Sequence, residues 1–405
     1  MSVLVAGAGI GGLTTALSLH AAGIDATVVE SVREIRPLGV GINLLPHAVR
    51  ELTELGLGDA LAAIGVPTAE NVYCDRDGTV LFSEPRGVAQ GYRWPQYSVH
   101  RGELQSMLLA AVRDRLGPDA VRTGTRLDGF TDTGSAVRAR LLDRATGEHR
   151  TVEAGLLVGA DGLHSAVRGL LHPDGGPLLW SGVRMWRGVT EGKPFLTGRS
   201  AVLVRDGDAE FIAYPIGRDR INWVCLVREA PPGPLGEEAG WNRPGRLADL
   251  LPHYAHWSLG FLDVPGLLTG AERILEYPMV DREPLRSWGR GRVTLLGDAA
   301  HPMYPVGANG ASQAVVDARV LAHALAGSDD VPAALARYAD ERREATAAVV
   351  RANRAMNEAA REVPEGGGRS AEHYARITDA YRRASGGDPA VLNARPSLTP
   401  APAGR

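Results

Sequence analysis

Residues 2–30 read SVLVAGAGIGGLTTALSLHAAGIDATVVE. A short apolar run is followed by glycines at 7, 9, 11 and 12, then by apolar residues at helical spacing, then by a second apolar run that ends on Glu30. The pattern predicts strand, tight turn, helix and parallel strand. Gly7, Gly9 and Gly12 form G-x-G-x-x-G at the turn, where small residues let a pyrophosphate approach the free N–H groups and partial positive charge of a helix N-terminus. Glu30, eighteen residues past the last glycine, would accept hydrogen bonds from a ribose diol, with Ser31 beside it. A dinucleotide is the expected ligand of this unit.

The remaining composition sets limits. A chain of 405 residues with 44% hydrophobic residues can bury a full core. A net charge of -3 gives no electrostatic reason to bind nucleic acid or an anionic membrane. Cys74 and Cys225 are the only cysteines, too few for a disulfide framework or a metal cluster, so no metal is expected. No stretch approaches the length of a bilayer span, and the N-terminus lacks a signal-peptide pattern, so a cytoplasmic location is expected. Lys193 is the only lysine, so any anion clamp must use arginine or backbone N–H groups.

Two later stretches repeat the style of the first. EAGLLVGADGLHSAVRGLL (153–171) reads as strand, glycine turn and helix, and RVTLLGDAA (292–300) as another parallel strand and turn. Between them, VRMWRGVT, SAVLVR, EFIAYPIG and INWVCLV (within 183–227) read as an antiparallel sheet. Residues 72–82 and 138–152 alternate like exposed antiparallel strands. Helix is expected over 46–65, 101–117 and 310–361, a linker at EVPEGGGRS (362–370), and a disordered end from Ala394.

GADGLHSAVR (159–168) and GDAAHPMYP (297–305), in this order after the N-terminal turn, resemble the fingerprints of the FAD-dependent group A aromatic hydroxylases, the para-hydroxybenzoate hydroxylase type. SVHRGEL (98–104) adds that family's arginine at Arg101. EIRPLGVGINL, WPQYSVHRGELQ, MWRGVTE and YPVGANGASQA look most similar to the phenazine monooxygenases of pigment biosynthesis. The resemblance implies an α/β fold: a Rossmann-type, glutathione-reductase-like FAD-binding domain (1–70, 96–175 and 285–350) and an inserted antiparallel β-sheet substrate domain (71–95 and 176–284). C-terminal helices and a flexible tail (351–405) complete it. Monomer and homodimer both stay open.

By resemblance, Gly7, Gly9, Gly11, Gly12, Glu30, Ser31, Arg101, Asp161, Gly162, Gly297 and Asp298 contact FAD, with Asp298 on the ribityl chain. Pro305, Gly307 and Gly310 border the isoalloxazine, and backbone N–H groups at Ala311 and Ser312 face its pyrimidine end; the family more often has Asn where Ser312 stands. Asp161 would support the flavin and nicotinamide docking, or simply cap a helix starting at His164. His301 reads as a structural histidine. Met185, Trp186, Arg187, Tyr214, Trp223, Pro278 and Pro305 are candidates for a substrate pocket, with Arg184 or Arg187 meeting a substrate carboxylate. No catalytic acid or base is legible; the flavin is the reactive group.

The implied reaction is hydroxylation of an electron-rich, polycyclic, phenazine-like aromatic through a C4a-hydroperoxyflavin, using NADPH or NADH and O2, with decarboxylation open. Three alternatives remain, of which a plain NAD-dependent dehydrogenase would purify without flavin colour. A flavin-dependent halogenase would carry W-x-W-x-I-P, which is absent, and its lysine would have to be Lys193 in EGKPF. A catalytically silent FAD-binding redox module would keep the same motifs.

Overall fold

The structure, a computed structural model, describes residues 1–236, 243–361 and 370–399. Strand β1 (Ser2–Ala6) leads through Gly7–Gly9 into helix α1 (Ile10–Ala21) and back into β2 (Asp25–Val29). β1 pairs in parallel with β2 on one side and with Leu156–Gly159 on the other, and Val293–Leu295 adds in parallel beyond that. The three glycine-motif stretches therefore end at the same edge of one six-stranded sheet, because parallel strands deliver their C-terminal turns to a common side. Their near-continuous apolar sequences are explained by burial on both faces: Val5, Leu156, Leu157 and Val158 are fully enclosed.

A second, nine-stranded sheet combines Glu70–Cys74 and Val80–Pro85 with strands from 179–281. It is antiparallel except where Ser200–Asp206 runs parallel to Glu70–Cys74. The reading of 72–82 as exposed antiparallel strands holds for Val80–Pro85, the half-exposed edge strand, and is corrected for the strand before it. Val72, Tyr73 and Cys74 are buried, since that strand lies inside this sheet instead of at its rim. Residues 138–152 form the expected exposed hairpin, Val137–Asp143 with His149–Ala154, whose alternate residues face water. Both cysteines are buried and unpaired.

Helix Gly310–Ala326 packs on α1, and Val331–Ala359 packs on Gly310–Ala326 in turn. The expected linker 362–370 lies outside the described residues except for Ser370, and 400–405 lie outside them too. Ser370 caps the helix Ala371–Ala384, accepting from the His373 N–H, and Pro389–Ala394 follows. The expectation of a disordered end is corrected for 395–399. Arg50 donates to the Arg395 carbonyl at 2.7 Å, the Arg395 guanidinium meets buried Glu51 at 2.8 Å, and Arg319 donates to Thr399 Oγ1 at 2.6 Å. Composition suggested disorder, but a buried acid facing two arginines requires partners, and the tail supplies one of them.

Candidate functional site

The two sheets enclose a cavity of about 960 Å³, lined by Gly9–Gly11, Asp161 and Gly162, Gly297 and Asp298, Pro305–Ala311, and by residues of the nine-stranded sheet. The turn after β1 is built for close approach. A Cβ on Gly12 would overlap the Gly7 carbonyl oxygen, whereas one on Gly9 would meet nothing, because that face opens on the cavity. Glu30 secures the turn, accepting from the Ala8 N–H at 2.8 Å and from the Val32 N–H at 2.9 Å, with Ser31 Oγ donating to it as well. Gln105 donates to the Ala8 carbonyl at 2.8 Å from the helix Arg101–Leu116. Gly7, Gly12, Glu30 and Ser31 thus shape the turn without themselves lining the cavity.

Asp298 stands just after the strand Val293–Leu295 and accepts no hydrogen bond among the described residues. Enclosure by protein raises its carboxyl above the usual range, opposed by His301 and Arg101. Arg101 begins its helix at the cavity wall and forms no ion pair among the described residues. Asp161 is engaged differently. Ser165 Oγ donates to one of its oxygens, and the N–H groups of Ala166 and Val167 donate to the other, at the start of the helix Ala166–Leu171. The N-cap itself is Ser165, whose Oγ accepts from the Arg168 N–H, so Asp161 braces the first turn of a helix that starts at Ala166 instead of His164 while also lining the cavity.

The helix Gly310–Ala326 presents its N-terminus to the cavity through Gly310 and Ala311, and Asn309 makes no side-chain cap. Ser312 is turned away and fully buried, its Oγ accepting from the Leu45 N–H at 3.0 Å. His301 is structural, as expected. It is buried, bonded to Asp317 at 2.5 Å and packed against Trp288. Burial would raise Asp317, but His301 and Arg342 prevail and hold its carboxyl below the usual range.

The nine-stranded sheet supplies a flat wall. Met185 and Arg187, Leu203, Ile212 and Tyr214, and Val224 and Leu226 come from alternate positions of four strands, so all face the cavity. Tyr277, Pro278 and Pro305 extend it. The same alternation corrects two expectations. Trp223 and Trp186 point to the other face, where they pack with Phe211 and Tyr254, and Trp223 donates to Thr190 Oγ1 at 3.0 Å. Arg184 also lies on that opposite register and is bound by Glu229 at 2.7 Å and Glu276 at 2.6 Å, so it is no carboxylate receptor. Arg187 remains. One of its Nη atoms donates to the Gly41 carbonyl at 2.7 Å, while its Nε is buried without a partner.

Two contributions escaped the sequence reading. Tyr374, Ile377, Thr378 and Tyr381 of the C-terminal helix line the cavity. Their i, i+3, i+4, i+7 spacing was the available signal, although nothing in it says which body the helix packs on. His47 is the other. It lines the cavity at the start of the helix Pro46–Glu54, and burial, followed by the charges of Arg342 and Arg395, pushes its imidazole down to about 3.

His47 is thereby neutral in the folded protein while the unfolded chain takes up its proton near 6.5. The stability this gives is complete above that pH and is lost as pH falls toward about 3. At about pH 5 the loss is about 2 kcal/mol. We predict a smaller drop in melting temperature between about pH 7.5 and about pH 5 for His47→Gln than for the parent; equal drops would contradict the assignment.

The site suits FAD on its own chemistry. It combines a glycine turn open to the cavity, a carboxylate at Asp298 and an arginine at Arg101 that lack partners among the described residues, and an uncapped helix N-terminus. A family model described as an FAD binding domain matches residues 1–174 and 272–353. The phenazine 1,6-dicarboxylic acid hydroxylase PhzS of Lysobacter antibioticus is 53% identical over 395 residues, covering 94% of this chain and 96% of that protein. The aurachin C monooxygenase/isomerase of Stigmatella aurantiaca is 35% identical over 348 residues, 84% of each chain. Among solved structures, HpxO of Klebsiella pneumoniae complexed with FAD and uric acid superimposes with a TM-score of 0.76 at 26% identity, over 97% of this chain and 96% of that one.

Proposed function

This chain belongs to the FAD-dependent aromatic hydroxylases, and we propose that within that family it hydroxylates a planar, polycyclic, phenazine-like carboxylic acid, with NAD(P)H and O2 as co-substrates. The halogenase and silent-module alternatives are not favoured, given relatives that are monooxygenases. The observation that carries the substrate class is the flat apolar wall of alternate residues from four adjacent strands, with the unpartnered Arg187 Nε at its edge. A fused aromatic ring system matches such a surface, and a carboxylate satisfies the buried donor. The relative from Lysobacter antibioticus is a hydroxylase of a phenazine dicarboxylic acid.

Bound FAD would accept a hydride from NAD(P)H and then, with O2, supply the oxygen atom placed on the ring. The chain's own residues do the rest. Gly9 and Gly11 would admit the pyrophosphate, Arg101 would neutralise it, and Asp298 would accept from a ribityl hydroxyl. The N–H groups of Gly310 and Ala311 would stabilise negative charge at the pyrimidine end, as a helix N-terminus does for any anion. Pro305 and the sheet wall would hold the ring in place and keep water out. We take residues 1–70, 96–175 and 285–350 as the FAD-binding part and 71–95 with 176–284 as the substrate part.

Turnover of a panel tests the substrate class. A planar tricyclic carboxylate should exceed a single-ring phenol in kcat/KM by about 100-fold or more, a difference of roughly 2.7 kcal/mol. A preference for the single ring would overturn it. Product mass would show whether the carboxylate is kept or replaced.

A further inference from the structure

The loop from Gly297 to Asn309 carries Asp298 and Pro305 and ends at the helix N-terminus that faces the cavity. It is held at both ends by one buried polar network. At its start, the Gly297 N–H donates to Asp317 at 3.1 Å, and Asp317 also accepts from Arg342 at 2.7 Å. Arg342 donates to Gln313, whose amide donates to Asn309 Oδ1 at 3.2 Å, at the loop's far end. The network then leaves the FAD-binding part. The Asn309 amide donates to Tyr381 Oη at 2.6 Å, Tyr381 donates to Asn353 Oδ1 at 2.9 Å, and the Asn353 amide donates to the Tyr304 carbonyl at 2.8 Å.

Tyr381 thus bridges both sides of the segment Tyr304–Asn309 from a helix that follows the undescribed 362–369. The approach is tight, since a Cβ on Gly307 would overlap the tyrosine hydroxyl. Within the same segment, Ala308 is held at φ 55°, ψ 30°, a left-handed conformation that a residue with a Cβ adopts at a cost. Such a conformation persists when surrounding contacts over-determine it. The bonds made by Tyr381 and Asn353 are those contacts.

We propose that Tyr381 is a positioning residue for the reaction: its hydroxyl pins the segment Tyr304–Asn309, and through it sets where Pro305 and the N-terminus of Gly310–Ala326 stand relative to the flavin and the aromatic ring. The proposal rests on the flavin reading of this cavity. It gives the C-terminal helix a role in coupling, because oxygen transfer demands alignment of the ring with the flavin, and without it the reduced oxygen leaves as hydrogen peroxide. The helix also reaches the substrate sheet, where Tyr374 packs on Tyr73 with ring centroids 4.7 Å apart.

The test compares holoenzyme of the parent and of Tyr381→Phe, which keeps the ring and removes the bridge. The parent must first bind FAD and couple NAD(P)H oxidation to product; failure there defeats the flavin reading itself and not the role of Tyr381. Given that, Tyr381→Phe should keep its FAD content and keep KM within about threefold. Product per NAD(P)H should fall several-fold with hydrogen peroxide making up the difference, and the visible absorption and fluorescence of bound flavin should shift in the resting enzyme. Unchanged coupling with an unchanged flavin spectrum would overturn the proposal.

A second pair checks the contact without relying on turnover. Gly307→Ala should lower the melting temperature of the holoprotein, and adding Tyr381→Ala should recover part of that loss, since the obstructing hydroxyl and ring are gone. Additive losses in the double variant would also overturn it.

Discussion

Gly12→Ala is expected to yield a protein purified without its yellow flavin and with hydroxylation reduced by about three orders of magnitude. The added Cβ would overlap the carbonyl oxygen of Gly7. That obstruction is backbone, not the far end of a flexible side chain, so it cannot rotate away, and the turn must open. Opening it moves the first N–H groups of α1 and the Ala8 N–H that Glu30 holds at 2.8 Å. FAD affinity should fall by about 100-fold or more, at least roughly 2.7 kcal/mol. Gly9→Ala is the control for folding: its Cβ meets nothing within 4 Å, so the apoprotein should melt as the parent does. A Gly12→Ala protein that retains stoichiometric FAD would contradict this account of the turn.

Arg187→Gln carries the second large effect. The guanidinium Nε is buried without a partner, while another arm donates to the Gly41 carbonyl at 2.7 Å. A carboxylate reaching that Nε would form a charge-assisted bond in an enclosed site, contributing about 1.5–3 kcal/mol, so its removal should raise KM for carboxylated substrates by about 10- to 100-fold. The strand starting at Gly41 should hold its place, because the Gly41 N–H also donates to Asn222 Oδ1 at 2.6 Å. An uncharged amide or ester of the same ring system separates the two roles. Its KM should hardly change in the variant, and an equal loss on charged and uncharged substrates would show that Arg187 acts only through packing.

Most of the glycine-turn side of the cavity is legible in the sequence because its signals are local. Each glycine turn, its flanking apolar run and its acid fall within thirty residues, and parallel pairing brings their ends together. The sheet wall is legible only in part. Met185, Arg187, Tyr214 and Pro278 do reach the cavity, but Trp223 does not, since a period-two strand assigns a residue to a face only once its partner strands fix which face is the wall. Arg184 and Arg187 look alike in sequence; one is neutralised by Glu229 and Glu276, from distant strands, and the other is not.

The C-terminal region is the least legible. Tyr381 looks like an ordinary helix residue, and its partners Asn309 and Asn353 lie 72 and 28 positions away. Thr399 sits in a stretch whose composition reads as disorder, yet it accepts from Arg319, buried in the helix Gly310–Ala326. Long-range pairing of this kind leaves no periodic mark. Asp161 shows the converse: a motif residue on the cavity lining whose carboxylate is held by local bonds from Ser165, Ala166 and Val167.

The most direct measurement is product analysis after the purified holoprotein oxidises NAD(P)H in the presence of a planar tricyclic aromatic carboxylate and dioxygen labelled with the heavy oxygen-18 isotope. The account predicts one labelled oxygen atom in the aromatic product for each NAD(P)H consumed, the second leaving as water. A product whose new oxygen is unlabelled, or oxidation that gives hydrogen peroxide alone with every ring system offered, would contradict it.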